Sequence, residues 1–120
     1  MKLIAQVLFA FLAVVGFASA DDKSVCAGKN KHVMNAIDRF CQKTDIVVPS
    51  GYANSGKMSN NGGKALVTIS GGCKPPMWVP SKYCYSQMYH VCATGGKKGH
   101  GNIAYGPNGC QLFEITQNSF

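Results

Sequence analysis

The stretch KNKHVMNAIDRFCQKTDIVVPS, residues 29–50, changes its pattern two thirds of the way along. Val33, Ala36, Ile37, Phe40 and Cys41 fall at i, i+3, i+4, i+7 and i+8, one face of a helix, with Lys29, Lys31, Asp38, Arg39 and Lys43 off it. The spacing predicts a helix over about residues 29–43. Ile46-Val47-Val48 is then a short β-branched run stopped by Pro49, which reads as a strand.

Outward from this stretch, residues 51–63 are polar and turn-rich and contain Asn61-Gly62. Lys64–Ser70 alternates Ala65, Val67 and Ile69 against Leu66, Thr68 and Ser70, the period of a sheet with one buried face. Together these segments predict a loose hairpin between 46–48 and 64–70. Pro75-Pro76 forbids regular pairing there, so Met77 and Trp78 lead in extended form to Pro80, a residue suited to a first helical turn. Cys84, Met88, Val91 and Cys92 then keep one face of a second helix over about 80–94, with Gly95-Gly96 as a left-handed cap. After an Asn108-Gly109 turn, Leu112–Thr116 sets Phe113 and Ile115 on one side of a last strand.

The order helix, two strands, helix, strand predicts an α+β fold: a small two-layer sandwich, αββαβ, with two helices on one face of a mainly antiparallel sheet. One domain over 21–120 accounts for the chain outside its leader. The leader is expected at residues 1–20, where Lys2 precedes an apolar run ending in Ala18-Ser19-Ala20, the layout of a secretory signal and too short to anchor a membrane. No membrane span is expected, and the protein is expected outside the cell.

All six cysteines, Cys26, Cys41, Cys73, Cys84, Cys92 and Cys110, follow that leader, an even count that reads as three disulfides in an oxidising compartment. Fifteen pairings are open. Antiparallel helices would bring Cys26 to Cys92 and Cys41 to Cys84, leaving Cys73 for Cys110. No Cys-x-x-Cys pair occurs, so no metal site and no cofactor are expected. Of the twelve Lys/Arg, Lys2 lies in the leader, so eleven face five Asp/Glu in the remainder. The excess favours anionic partners, but scattered lysines and a single Arg39 are a poor nucleic-acid signature, and no nucleic acid partner is expected.

Catalytic groups are sparse. Glu114 is the one glutamate, and the histidines are His32, His90 and His100. A ribonuclease-like set can be written with Glu114 as base, His100 as acid and Arg39 or Lys97 as phosphate clamp, but Glu114 reads as readily as an exposed strand residue and His100 sits among glycines. "GGKKGHG", residues 95–101, lacks the Gly-Lys-Ser/Thr ending of a phosphate loop. The chain is read as a binding protein and not as an enzyme. Binding groups are plentiful: aromatic faces and amides, the combination a sugar ring requires, occur at Trp78, Tyr52, Tyr105, Asn102 and Asn108. With Lys97, Lys98 and His100 in the glycine-rich stretch between Cys92 and Cys110, these are the expected ligand contacts, and that stretch the expected recognition loop. The alternative for Trp78, between Pro76 and Pro80, is a plug at one end of the core.

The segments "AIDRFCQK", "IVVPSGYA", "VTISGGCKPPMWVP", "YCYSQMYHVCATG" and "YGPNGCQLFEI", with a cysteine ahead of the first helix, resemble the small secreted fungal glycan-binding proteins typified by the inky-cap mushroom lectin. That resemblance implies one disulfide-bonded αββαβ domain, no catalytic centre, and recognition of a glycan or cell-surface glycoconjugate in a homodimer. "YGPNGCQLFEI" is also similar to the ending of fungal necrosis-inducing effectors and killer-toxin-like proteins, which implies action on host or competitor cells. The chain lacks the extra cysteines of killer toxins.

Overall fold

The structure, a computed structural model, describes residues 21–60 and 62–117. The expected leader over 1–20 lies outside them, as does Asn61 of the expected Asn61-Gly62 turn.

The described chain is helical over 21–29 (α1) and again over Lys31–Cys41 (α2). Asn30 divides the two: its backbone is extended, and its side chain accepts a hydrogen bond from the His32 N–H at 2.9 Å, capping α2. The buried face of α2 is Val33, Ala36, Ile37, Phe40 and Cys41, the residues the periodicity selects. There follow β1 (Ile46–Val48), α3 (Gly51–Ser55), β2 (Lys57–Met58), β3 (Ala65–Ser70), β4 (Met77–Val79), α4 (Ser81–Thr94), β5 (Gly101–Tyr105), a 3-10 turn at Pro107–Gly109 and β6 (Gln111–Gln117). α4 buries Cys84, Met88, Val91 and Cys92, again the expected face, and Pro80 stands at its N-cap.

Four strands form an antiparallel sheet in the order β2-β3-β6-β5, and β1 and β4 form a separate antiparallel ribbon. The expected hairpin between 46–48 and 64–70 is therefore corrected. β1 pairs with β4, placing Val47 opposite Trp78, while β3 pairs with β2 and β6. Residues 51–63 are also less loop-like than expected: the Ser50 hydroxyl caps the single turn of α3, and Gly56 ends it with φ 72°. Gly95 is a second correction. Its φ is −80°, so it is no left-handed cap; the position excludes a side chain because a Cβ there would stand 2.4 Å from the His100 carbonyl oxygen.

Ala65, Val67 and Ile69 of β3 and Phe113 and Ile115 of β6 point inward, and α2 and α4 cover them from one face. The architecture is a disulfide-stapled α+β fold with two antiparallel sheets. The disulfides are Cys26–Cys92, Cys41–Cys84 and Cys73–Cys110, the pairing expected from antiparallel helices. The first ties α1 to the C-terminal part of α4 and the second the end of α2 to the start of α4, where the Ser81 hydroxyl adds a bond to the Cys41 carbonyl at 2.6 Å. The third joins the strand ends at Gly71 (φ 133°), where a Cβ would meet the Cys110 carbonyl oxygen at 1.8 Å. Among the described residues no helix is long and apolar enough to cross a membrane, and no three His, Cys, Asp or Glu side chains gather as a metal site.

Candidate functional site

The segment from Cys92 to Cys110 is more ordered than a loop. Lys97 and Lys98 occupy an exposed turn in which the Gly96 N–H donates to the His100 carbonyl at 2.9 Å and the Gly99 N–H to the Gly96 carbonyl at 2.9 Å. Gly99 packs on the first disulfide, a Cβ there standing 2.6 Å from Cys92 Sγ. The remainder is the edge strand β5 and the 3-10 turn. Glycine content hid β5, whose two outward residues are Asn102 and Ala104.

This geometry distributes the expected ligand contacts instead of gathering them. Tyr105 is half-buried, its ring edge-on to Phe113 at 4.9 Å, and burial with the nearby Asp22 carboxylate pushes its hydroxyl pKa up. Asn102 faces outward opposite Glu114, which in turn lies opposite Thr68. Asn108, at φ 55°, lines a cleft of about 670 Å³ with Lys74, Pro75, Met77 and the Cys73–Cys110 disulfide. His100 and Lys98 line a different cleft, beside the start of α2. Tyr52 lies elsewhere again: its ring stacks on Phe40 at 5.3 Å, Lys43 and Lys57 ammonium groups stand over it, and its hydroxyl donates to the Phe40 carbonyl at 2.8 Å. Its face and its hydroxyl are occupied by the end of α2.

Of the ribonuclease-like set, Lys97 shares the turn of His100 while Arg39 stands apart from it. Arg39, near the C-terminal end of α2, donates to the Met58 carbonyl, while His100 lies by the N-terminal end of that helix. Glu114 projects from the sheet face that the helices leave open.

Trp78 is the exception among the aromatic residues. Its indole is 61% exposed, so it is no core plug, and it points away from Met77 and Val79, its neighbours on β4. Yet the ring is held: Nε1–H donates to the Thr44 carbonyl at 2.8 Å across the ribbon. Short as it is, β4 is pinned on one side by pairing with β1 and on the other by entry into α4. Tyr83, in the first turn of α4, is the next most exposed large hydrophobic at 49%, with the Lys82 ammonium over its ring at 5.1 Å. An indole with its one polar atom bonded inward and a bare apolar face outward suits stacking on a flat apolar surface of a ligand.

Comparison with family models, curated proteins and solved structures finds no match to this chain.

Proposed function

We propose that this chain is a non-catalytic, secreted glycan-binding protein that stacks a sugar ring on Trp78. The observation that carries the reading is the indole at once 61% exposed and fixed by its bond to Thr44. Leaving a large apolar side chain in water is unfavourable, and holding it in one orientation adds an entropic cost; both are offset when a ligand covers the face. A sugar supplies C–H groups for that face. Export is supported by the leader pattern of residues 1–20 and by three disulfides, which persist in oxidising surroundings. The resemblance to the mushroom lectin adds to this reading and alone suggests a homodimer.

Trp78 is the sole tryptophan, so its fluorescence reports on this site without ambiguity. The oxidised protein, freed of the leader, is applied to a glycan array, and each array ligand is then titrated while the emission is followed. The expected result is saturable binding to a limited set of oligosaccharides with a shifted indole emission, lost in Trp78→Ala and retained at raised salt. A flat array, or array binding that Trp78→Ala leaves intact, overturns the proposal.

A further inference from the structure

A second cleft, of about 450 Å³, opens where the start of α2, the Lys97-Lys98 turn and the ends of β3 and β6 meet. Its lining includes Lys29, Asn30, His32, Lys64, Lys98 and His100, and none of the described lining residues is acidic. Five basic side chains converge on it from three separate segments of the chain.

Their states differ in a way that leaves capacity for a ligand. Lys29 is committed: its ammonium donates to the carbonyls of Cys92, Ala93 and Gly95 at 3.1, 2.6 and 3.1 Å, so it contributes fixed charge and no free N–H. Asn30 is committed too, through the His32 N–H and the Lys98 carbonyl, and it thereby fixes the turn carrying Lys98 against α2. Lys64 and Lys98 have no ion-pair partner among the described residues, and their ammonium groups are exposed. His100 is the telling group. Its Nε2 is buried from solvent and has no hydrogen-bond partner among the described residues. A buried polar atom left unpaired is unfavourable, and in a field set by lysines the ring acts best as a donor toward negative charge.

From this we infer that the cleft is a binding site for a tetrahedral oxyanion, a phosphate or sulfate group, held by Lys64, Lys98 and the His100 Nε2–H over the fixed charge of Lys29. Compact ammonium groups approaching from several directions match an anion whose oxygens point in several directions, whereas a planar carboxylate is served better by an arginine fork, which this cleft lacks. The site is separate from Trp78 and does not rest on the glycan reading: its anion can be a free ion or the ester group of a sugar.

The test is calorimetric titration of the full secreted chain, at constant ionic strength, with inorganic phosphate, inorganic sulfate and glucose 6-phosphate. The His100 ring nitrogens are followed in parallel by NMR. The expected result is saturable binding, a moved Nε2 resonance, and a loss of about tenfold or more in affinity in Lys64→Gln/Lys98→Gln. The control Lys23→Gln/Lys82→Gln removes the same charge from exposed positions outside the cleft and is expected to bind like the parent chain. Tighter binding of the sugar ester than of inorganic phosphate identifies an esterified ligand, and equal binding identifies the free ion; either supports the site. Absence of saturation up to about 10 mM, or equal loss in both double variants, overturns it.

Discussion

Replacing Lys29 with methionine tests whether one side chain fastens the N-terminal part of this fold. The ammonium uses all three of its protons on the carbonyls of Cys92, Ala93 and Gly95, at the C-terminal end of α4, where of the three only the Cys92 oxygen also accepts a backbone N–H, that of Gly95 at 3.3 Å. A hydrogen bond to a charged group is worth about 1.5–3 kcal/mol when well shielded. Here the group is half-buried and water can reach the carbonyls once it is gone, so three bonds together are credited with about 1.5 kcal/mol. The negative end of the α4 dipole adds about 0.5 kcal/mol. Methionine keeps the aliphatic stem and removes the charge, so the expected loss is about 2 kcal/mol. For a domain of this size that lowers the midpoint by about 10 °C. Thermal unfolding followed by circular dichroism, with the disulfides intact, reads it. Lys97→Met, exposed on the adjacent turn, is expected to leave the midpoint unchanged. A loss below about 0.5 kcal/mol in Lys29→Met would refute the assignment of a helix-capping ammonium.

Two further predictions concern other parts of the fold. The Tyr85 hydroxyl, 2.7 Å from Asp38 Oδ1, is pushed up to about 12, first by burial and then by that bond. Its contribution to stability is therefore whole below the ordinary tyrosine range near 10 and is lost as pH rises through about 12, because the unfolded chain releases the proton sooner. Absorbance titration near 295 nm is expected to show a late ionising tyrosine that disappears in Tyr85→Phe; its persistence there would assign the late step to another ring. Gly71→Ala introduces a side chain at φ 133° against the Cys110 carbonyl oxygen at 1.8 Å and is expected to cost about 3 kcal/mol or more in denaturant unfolding. Gly72→Ala, where a Cβ meets nothing within 4 Å, is the tolerant neighbour, and equal behaviour of the two would contradict the crowding at residue 71.

The helices and their inward faces were readable because α2 and α4 are long enough to repeat a period of 3.6, and β3 because six alternating residues make a pattern of 2. The disulfides followed once the helices were set antiparallel. The ribbon escaped notice because the partner of Ile46–Val48 lies beyond β3, past two prolines, and three residues carry no period. α3 and β2 are shorter than any window in which periodicity can be judged, although Ser50 and Gly56 do mark the ends of α3. The aromatic and amide residues singled out by type were distributed over the surface because composition says nothing of which side chains the core and the helix ends consume; Tyr52 and Tyr105 are consumed in this way. The basic cleft was invisible in outline for a related reason. Lys29, Lys64 and His100 become neighbours only through the packing of α2 against β3 and of the 96–100 turn against the first disulfide.

The three disulfides interlock along the chain: Cys26–Cys92 encloses Cys41–Cys84, and Cys73–Cys110 overlaps both. A peptide bond hydrolysed once, anywhere between Cys26 and Cys110, is always spanned by at least one intact cross-link, so both pieces remain a single covalent molecule. Detaching any internal piece takes two cuts within the same cysteine-free interval, the longest of which is 42–72. To a protease the domain is accordingly a closed net and not a thread: a nicked molecule gains one water, keeps its mobility on a non-reducing gel and falls apart only after a thiol is added.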